Sequence, residues 1–312
     1  MKLRNIFLIL ALFLLSGNFA LAQKLQVETF GNEKDKPVIF LHGGPGYNSV
    51  PFEATTAKEL SGNGFFVISY DRRGEGRNSN LKAEYTFDQT FGDLNQIYQT
   101  YGLKKAILMG HSFGGVIATL FADKYPEKTE ALILLSAPVS TQETLKHILL
   151  EAKEIYEKKG DTVNLKYISM LEKMDSTSME YSSYCFMHAM ANGFYSTKKP
   201  NERAVGLYKK FKTDSLLRKY ATNMVYQASR GFLKNEHYTT ISLRENLKSL
   251  RAKKVKVYAI YGKEDGLCSK RQIEILESIL GGNRVEYLDN CSHNVFIDRQ
   301  KKFIELVKKW TK

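Results

Sequence analysis

Short apolar runs alternate with helix-like stretches along most of this chain, and this alternation limits the folds that it can adopt. Strands are predicted at residues 25–30, 37–41, 64–70, 105–109, 131–135, 255–261 and 284–288. Helices are predicted at residues 87–101, 114–125, 271–280 and 295–310. Nearly continuous apolar strands are typical of a parallel sheet that helices cover on both faces. The sequence therefore predicts an α/β fold with a doubly wound, mostly parallel sheet.

The strand pattern stops between residues 139 and 248. This stretch is polar and helix-like, and it contains 9 of the 18 tyrosines. Predicted core strands lie on both sides of it, so we interpret it as an inserted helical cap rather than a tail domain. The predicted division is a core of residues 23–138 and 249–312 and a cap of residues 139–248.

The first 22 residues are typical of a secretory signal peptide. Lys2 and Arg4 precede ten apolar residues at positions 6–15, and Ala20 and Ala22 are small residues at the positions that a signal peptidase reads. The apolar run is too short to cross a bilayer of about 30 Å as a helix. The sequence predicts cleavage before Gln23, export to the periplasm or the exterior, and no stable membrane anchor afterwards. An uncleaved anchor is the alternative.

The net charge of +13 makes nucleic acid or an acidic membrane a partner to consider. However, the lysines and arginines are scattered, mostly beside acidic residues, and form no long basic run. We therefore interpret the charge as a solvated basic surface and expect no nucleic-acid partner.

A candidate nucleophile lies in the pattern Gly-x-Ser-x-Gly at residues 110–114, between a predicted strand and a predicted helix. A tight strand-to-helix turn needs small neighbours because it holds the serine in a strained conformation with its oxygen exposed. The N-terminus of the following helix also favours negative charge that develops there. This context favours Ser112 as a nucleophile over a plain glycine-rich turn.

A serine nucleophile requires a base and a carboxylate that orients the base. Of the six histidines, only His293 follows the last predicted strand. Asp265 follows the strand before it, and the neighbouring Glu264 is expected to be a solvated surface charge. The order serine, aspartate, histidine predicts a triad of Ser112, Asp265 and His293.

Two further motifs follow buried strands. His-Gly-Gly-Pro-Gly at residues 42–46 fixes a turn that can bring backbone N–H groups to a reacting oxygen. We predict an oxyanion hole formed by the N–H groups of Gly44 and Phe113, with Gly43 as the alternative to Gly44. Asp-Arg-Arg-Gly-Glu-Gly at residues 71–76 is expected to shape the next loop, and it lacks the third glycine of a dinucleotide site.

With these motifs, the chain resembles the α/β-hydrolases over nearly all of its length outside the signal peptide and the insertion. The motifs at residues 42–46 and 71–76 resemble those of the proline iminopeptidases, which remove an N-terminal proline from peptides. The resemblance implies the same triad and oxyanion donors, and it implies that the insertion is the helical cap of that family. It therefore predicts an aminopeptidase acting on a short peptide.

Two departures favour a second substrate class. The family usually carries Gly-Gly-Ser-Trp-Gly around its nucleophile, whereas Gly-His-Ser-Phe-Gly at residues 110–114 is common in esterases and lipases. The family also uses cap glutamates to hold the substrate's ammonium group, and no motif singles out one of Glu180, Glu202, Glu236 and Glu245. The cap carries 18 Lys and Arg against 12 Asp and Glu, which does not favour a cationic substrate. A carboxylesterase or lipase-like hydrolase of small esters is the alternative.

Other classes fit the residues less well. A ligand-binding protein that retains the triad is a less favoured alternative. Dehalogenases and epoxide hydrolases of similar layout are excluded because they need an aspartate at the position of Ser112. No ligand spacing indicates a metal, and no cofactor is expected. Five cap aromatics are candidates for lining an apolar pocket or for packing the cap onto the core: Tyr181, Tyr184, Phe186, Phe194 and Tyr195.

Cys268 and Cys291 lie close in sequence to Asp265 and His293, respectively. If the triad assembles, their loops meet, and export to an oxidising compartment would allow a disulfide between them. Buried free thiols are the alternative interpretation, because an extra cysteine, Cys185, is present in the cap.

Overall fold

The computed structural model describes residues 25–312, so the predicted signal peptide lies outside the described residues. Seven strands form one sheet in the order β1-β3-β2-β4-β5-β6-β7, in which β1 is antiparallel to β3 and every other pair is parallel. This confirms the predicted α/β fold with a mostly parallel sheet. The strands are β1 (Val27–Phe30), β2 (Lys36–Leu41), β3 (Phe65–Tyr70), β4 (Ala106–His111), β5 (Thr129–Leu135), β6 (Lys256–Gly262) and β7 (Val285–Leu288).

The helices of the core flank this sheet. A helical stretch after β2 consists of α1 (Val50–Phe52), the π-helical turn Glu53–Ala57 and α2 (Lys58–Ser61). The remaining core helices are α3 (Phe87–Thr100), α4 (Phe113–Lys124), α11 (Arg244–Ala252), α12 (Lys270–Leu280), α13 (Val295–Asp298) and α14 (Gln300–Thr311).

Successive strand residues pack into two separate apolar cores, as expected for side chains that alternate between the faces of a sheet. Ile39 and Leu41 of β2 pack on one face with α3, α4, α11 and α12. Val38 and Phe40 pack on the other face with α1, α2, α13 and α14. The sheet is therefore packed between two layers of helices. The glycine-containing motifs at residues 42–46, 71–76 and 110–114 lie where the parallel strands end.

Six helices lie between β5 and α11: α5 (Thr141–Lys159), α6 (Thr162–Leu171), α7 (Met179–Ala191), α8 (Glu202–Thr213), α9 (Ser215–Tyr220) and α10 (Tyr226–Glu236). Helices α5, α6 and α7 share a third apolar cluster that includes Leu267 from the core. The proposed cap boundary at residue 248 falls inside α11, whose Leu247 and Leu250 pack in the core. We therefore propose that the cap ends before Arg244.

The single final helix expected at residues 295–310 is wrong, because the chain forms two helices there. The break lies at Arg299, whose backbone angles (φ −130°, ψ 42°) are not helical. Asp298, the last residue of α13, is buried, and its carboxylate accepts hydrogen bonds from Ser292 N–H and the Tyr208 hydroxyl (both 2.8 Å). These contacts hold the loop that precedes α13. Within residues 25–312, no helix is long and apolar enough to cross a bilayer.

Candidate active site

Ser112 occupies a sharp turn between β4 and α4. Its backbone angles (φ 52°, ψ −123°) lie in a region that a residue with a side chain seldom adopts, and its N–H donates to the Leu135 carbonyl at 2.9 Å. The glycines around it have no room for a side chain. A Cβ on Gly114 would lie 2.1 Å from the Leu41 oxygen, and one on Gly115 would lie 2.3 Å from the Ala137 Cβ. The sequence pattern is thus required by close packing of the turn against β2 and the end of β5.

Asp265 and His293 meet at the ends of β6 and β7. The His293 Nδ1–H donates to Asp265 Oδ2 at 2.9 Å, and both side chains are buried. Asp265 Oδ1 accepts the Leu267 N–H at 3.0 Å, which fixes the carboxylate. Ser112 lines the same cavity as His293, although no hydrogen bond joins the two side chains among the described residues. Ser112 and His293 thus line one cavity, and Asp265 is joined to it through its hydrogen bond with His293.

The His111 ring packs directly against the His293 ring. The ring centroids are 4.8 Å apart, and His111 Nε2–H donates to the His293 carbonyl at 3.0 Å. Burial, assisted by the neighbouring His293, lowers the pKa of His111 to about 3. His111 is therefore neutral at ordinary pH and holds the backbone of His293 as a donor.

Replacing His111 with glutamine should reduce the acid sensitivity of the fold. Because the folded pKa of His111 lies below its unfolded value near 6.5, the unfolded chain takes up a proton first, so stability falls as the pH drops below 6.5. Between pH 6 and pH 4 this effect costs the wild type about 1.4 kcal/mol per pH unit, a contribution that His111→Gln lacks. Urea unfolding across this range measures both slopes, and equal slopes would contradict the assignment.

The buried ion pair of Arg72 and Glu75 binds the backbone of the loop at residues 42–46. Arg72 donates to the carbonyl oxygens of His42 (2.6 Å) and Gly43 (2.7 Å), and it also binds the Glu75 carboxylate (2.8 Å). Glu75 in turn accepts the Gly46 N–H at 2.9 Å. The carbonyl groups of His42 and Gly43 are therefore turned towards Arg72.

Gly44 and Phe113 line the cavity beside Ser112, whereas Gly43 is not among the lining residues. Phe113 is the first residue of α4, so its N–H has no acceptor within the helix. Gly44 has φ +111°, and a Cβ there would lie 2.8 Å from the Gly46 nitrogen, so only glycine fits. These positions suit two donors that converge on one oxygen atom.

The cavity has a volume of about 40 Å³ and a largely apolar wall. None of its lining residues is an aspartate, glutamate, lysine or arginine, and no group of three potential metal ligands occurs within residues 25–312. The lining residues are Gly44, Ser112, Phe113, Val116, Ser136, Ala137, Pro138, Thr141, Thr144, Phe186, Tyr238, Leu267, Cys268 and His293.

The four cap glutamates considered as ammonium ligands lie away from this cavity. Glu180, Glu202 and Glu245 are exposed, and Glu236 accepts the Phe87 N–H at 2.6 Å. The five cap aromatics divide between several roles. Phe186 lines the cavity, the Tyr195 ring lies 5.2 Å from that of His293, Tyr181 and Phe194 pack within the cap, and Tyr184 is exposed.

The neighbouring loops contain Glu264 and the two cysteines, Cys268 and Cys291. Glu264 is not a purely solvated charge: it is partly exposed, and its carboxylate also accepts hydrogen bonds from the Thr197 hydroxyl (2.9 Å) and the Lys198 N–H (2.6 Å). Cys268 and Cys291 form no disulfide, and both are buried thiols. The reason is that Cys268 packs in the core on one face of the sheet and Cys291 packs in the core on the other face.

The sequence alone indicates no role for His111 or Arg72, although both lie in glycine-containing motifs. Their partners lie far away along the chain: the His293 carbonyl is 182 positions from His111, and the Gly43 carbonyl is 29 positions from Arg72. No local pattern reports such contacts. The only available signal was a basic or aromatic side chain within a glycine-rich motif.

Known proteins resemble this chain in sequence and in fold. A proline iminopeptidase from Lactobacillus acidophilus is 26% identical over 289 residues, which cover 90% of this chain and 92% of the relative. The structure of a proline iminopeptidase-related protein from Thermus thermophilus superposes with a TM-score of 0.61 at 25% identity, covering 91% of this chain and 92% of that one. An esterase from Exiguobacterium antarcticum superposes with a TM-score of 0.63 at 20% identity, covering 92% and 95%.

The esterase comparison shows the fold alone, whereas the two iminopeptidase relatives show a resemblance in sequence as well. Peptidases and esterases thus share this arrangement of strands and helices. The family model for the alpha/beta hydrolase fold matches residues 36–300, from the first residue of β2 into α14. With this match over most of its length, the chain belongs to the α/β-hydrolase family and is a hydrolase.

Proposed function

We propose that the protein is a serine hydrolase that cleaves an ester or an amide through an acyl-enzyme on Ser112. The observation that carries this proposal is the buried hydrogen bond from His293 Nδ1 to Asp265, beside the cavity into which the Ser112 turn projects. A carboxylate that fixes one ring nitrogen of a histidine leaves the other nitrogen free to act as a base.

In this mechanism, Ser112 Oγ attacks the substrate carbonyl while His293 Nε2 takes the hydroxyl proton. Asp265 keeps the imidazole in the required tautomer and stabilises its cation. The same proton then passes to the leaving alcohol or amine, and a water molecule repeats the sequence to release the acid. The hydrogen bond between Ser112 and His293 forms when substrate binds, since such contacts are often long in an empty site.

The N–H groups of Gly44 and Phe113 would hold the oxyanion of the tetrahedral intermediate. Such donors act strongly because they are already oriented before the reaction begins. Arg72 contributes by fixing the carbonyl groups of the same loop, so the peptide planes cannot rotate away. Arg72 itself points to the loop and not to the substrate.

The cavity favours a short, uncharged acyl group. Its volume is only about 40 Å³. Its apolar wall contains no carboxylate that could pair with an ammonium group. An ester of a short carboxylic acid is therefore the substrate class that the geometry supports best.

Proline iminopeptidase activity is the second candidate. It is favoured by the relatives from Lactobacillus acidophilus and Thermus thermophilus, which align over about nine-tenths of the chain. For this activity the cap would have to supply a group that holds the ammonium of an N-terminal proline.

A substrate panel separates the two candidates. We expect the 4-nitrophenyl esters of acetate and butyrate to be cleaved with a higher kcat/KM than the octanoate ester and than proline 2-naphthylamide. The physical reason is that a long chain cannot enter the cavity and that a cationic acyl group loses its hydration without gaining a partner. Preferential cleavage of the proline amide would instead establish the second candidate.

A matched pair of variants on α7 tests whether the cavity sets this preference. Phe186→Ala removes part of the cavity wall, so the preference should move from butyrate towards octanoate. Each methylene that the enlarged cavity buries adds about 0.8 kcal/mol, or roughly fourfold in kcat/KM. Tyr184→Ala removes an exposed side chain from the same helix and should leave the preference unchanged. If both variants behave alike, the cavity does not select the acyl group.

A further inference from the structure

One short stretch of the cap after α7, residues 194–198, contacts both the acid loop and the base loop. The Phe194 carbonyl accepts two hydrogen bonds, one from the Gly266 N–H (3.1 Å) and one from the Ser292 hydroxyl (3.0 Å). Gly266 follows Asp265 directly, and Ser292 precedes His293 directly. A single carbonyl of the cap therefore joins the two loops that carry the acid and the base.

Close packing supports this contact. A Cβ on Gly266 would lie 2.3 Å from Cγ of Phe194, so the Phe194 ring rests on the backbone of the acid loop. The Tyr195 ring lies perpendicular to the His293 imidazole, with centroids 5.2 Å apart. His111 packs against the same imidazole at 4.8 Å. The imidazole is thus in contact with aromatic rings of both the core and the cap.

Glu264 anchors the far end of the segment. Its carboxylate accepts hydrogen bonds from the Thr197 hydroxyl (2.9 Å) and the Lys198 N–H (2.6 Å). Its own backbone belongs to the acid loop, where the Glu264 N–H donates to the Cys291 carbonyl at 2.9 Å. A charged residue beside Asp265 could simply be solvated, but the Glu264 carboxylate binds the cap instead.

We infer that residues 194–198 form a positioning element that keeps His293 aligned on Asp265, and that Glu264 is the positioning residue that holds this element in place. The inference rests on the proposed role of the acid and base pair. Both loops lie beyond the sheet, so strand pairing alone does not fix them. Through the Phe194 carbonyl and the Tyr195 ring, the position of the cap is coupled to the alignment of the base.

The test uses Glu264→Ala in the full-length protein, with two readouts. The first is the rate at which a fluorophosphonate labels Ser112, which depends on the base. We expect about a tenfold slower rate, because small displacements of reacting groups cost up to a hundredfold. The second is the low-field NMR signal of the His293 Nδ1 proton, assigned by its loss in His293→Gln. In Glu264→Ala this signal should broaden through exchange with water.

Two further variants serve as rescue and control. Glu264→Gln keeps a carbonyl oxygen that can accept the Lys198 N–H, so it should recover most of the labelling rate and the NMR signal. Lys263→Ala breaks an exposed ion pair to Asp289 beside the same loop and touches no residue of the segment, so it should match the wild type.

The outcomes are distinguishable. A wild-type rate and an unchanged NMR signal in Glu264→Ala would overturn the inference, as would an equal loss in Lys263→Ala. If the wild type is not labelled at Ser112, the proposed function fails, and the NMR signal alone then decides whether the segment aligns the pair. Thermal unfolding of each variant verifies that the fold is retained.

Discussion

Replacing Ser112 with alanine should lower kcat at least about a thousandfold and abolish labelling by a fluorophosphonate. The variant loses the oxygen that forms the acyl-enzyme, and neither His293 nor the oxyanion donors can replace it. His293→Ala should lose a comparable factor, because the serine hydroxyl is a weak nucleophile without a base. The double variant should be no worse than either single one, since the residues act as a unit.

Ser136→Ala is the matched control for this prediction. Ser136 lines the same cavity, follows the neighbouring strand and has a similar left-handed conformation (φ 47°). It should still be labelled at Ser112. Near-wild-type turnover in Ser112→Ala or His293→Ala would contradict the proposed mechanism.

Replacing Arg72 with methionine should produce the largest loss of stability, about 3–5 kcal/mol, because it leaves the Glu75 carboxylate buried without a partner. The Arg72 side chain is 3% exposed and that of Glu75 is 0% exposed, so water cannot take over the lost contacts. Two carbonyl groups of the 42–46 loop also lose their donor. Urea unfolding at pH 7 measures the loss, and activity should fall further than stability because the oxyanion loop is released.

The pH dependence gives this prediction a second check. Burial already raises the pKa of Glu75 in the wild type, against the opposing effect of Arg72. Without Arg72 the folded-state pKa rises further above the unfolded value, so folding takes up a proton and the stability deficit shrinks as the pH is lowered. Lys124→Met, which breaks an exposed pair with Asp88, should leave stability near the wild-type value. A deficit independent of pH would contradict an uncompensated Glu75.

The sheet could be predicted because its strands are continuously apolar and its helices carry local start and stop signals. Thr86, Ser140, Ser178 and Ser269 each accept a hydrogen bond from the first turn of the helix that they precede. The break at Arg299 had no such signal. The apolar pattern continues across it, since Phe296 and Phe303 enter the same core, and only the distant Tyr208 and the preceding loop explain why Asp298 ends its helix.

Within the site, local patterns indicated the residues but not their supports. Ser112 and Gly44 lie in motifs whose spacing reflects the geometry of a single turn. The contacts of Glu264 could not be predicted because its partners, Thr197 and Lys198, are 67 and 66 positions away in the cap. The possible bond between Cys268 and Cys291 failed for a similar reason, because nearness of two loops does not specify on which face of the sheet each thiol is buried.

The separation of Ser112 from His293 also determines when activity arises during biosynthesis. The contact from His111 to the His293 carbonyl spans 182 positions of the chain. During synthesis, the residues of the Ser112 turn and of the whole cap are therefore added to the chain before His293. Asp265 and His293 follow β6 and β7, the two strands at one edge of the sheet and the last two along the chain. In the proposed mechanism, a chain that ends before His293 contains the serine but no base to activate it, so hydrolysis begins only after His293 has been added and the two loops have met.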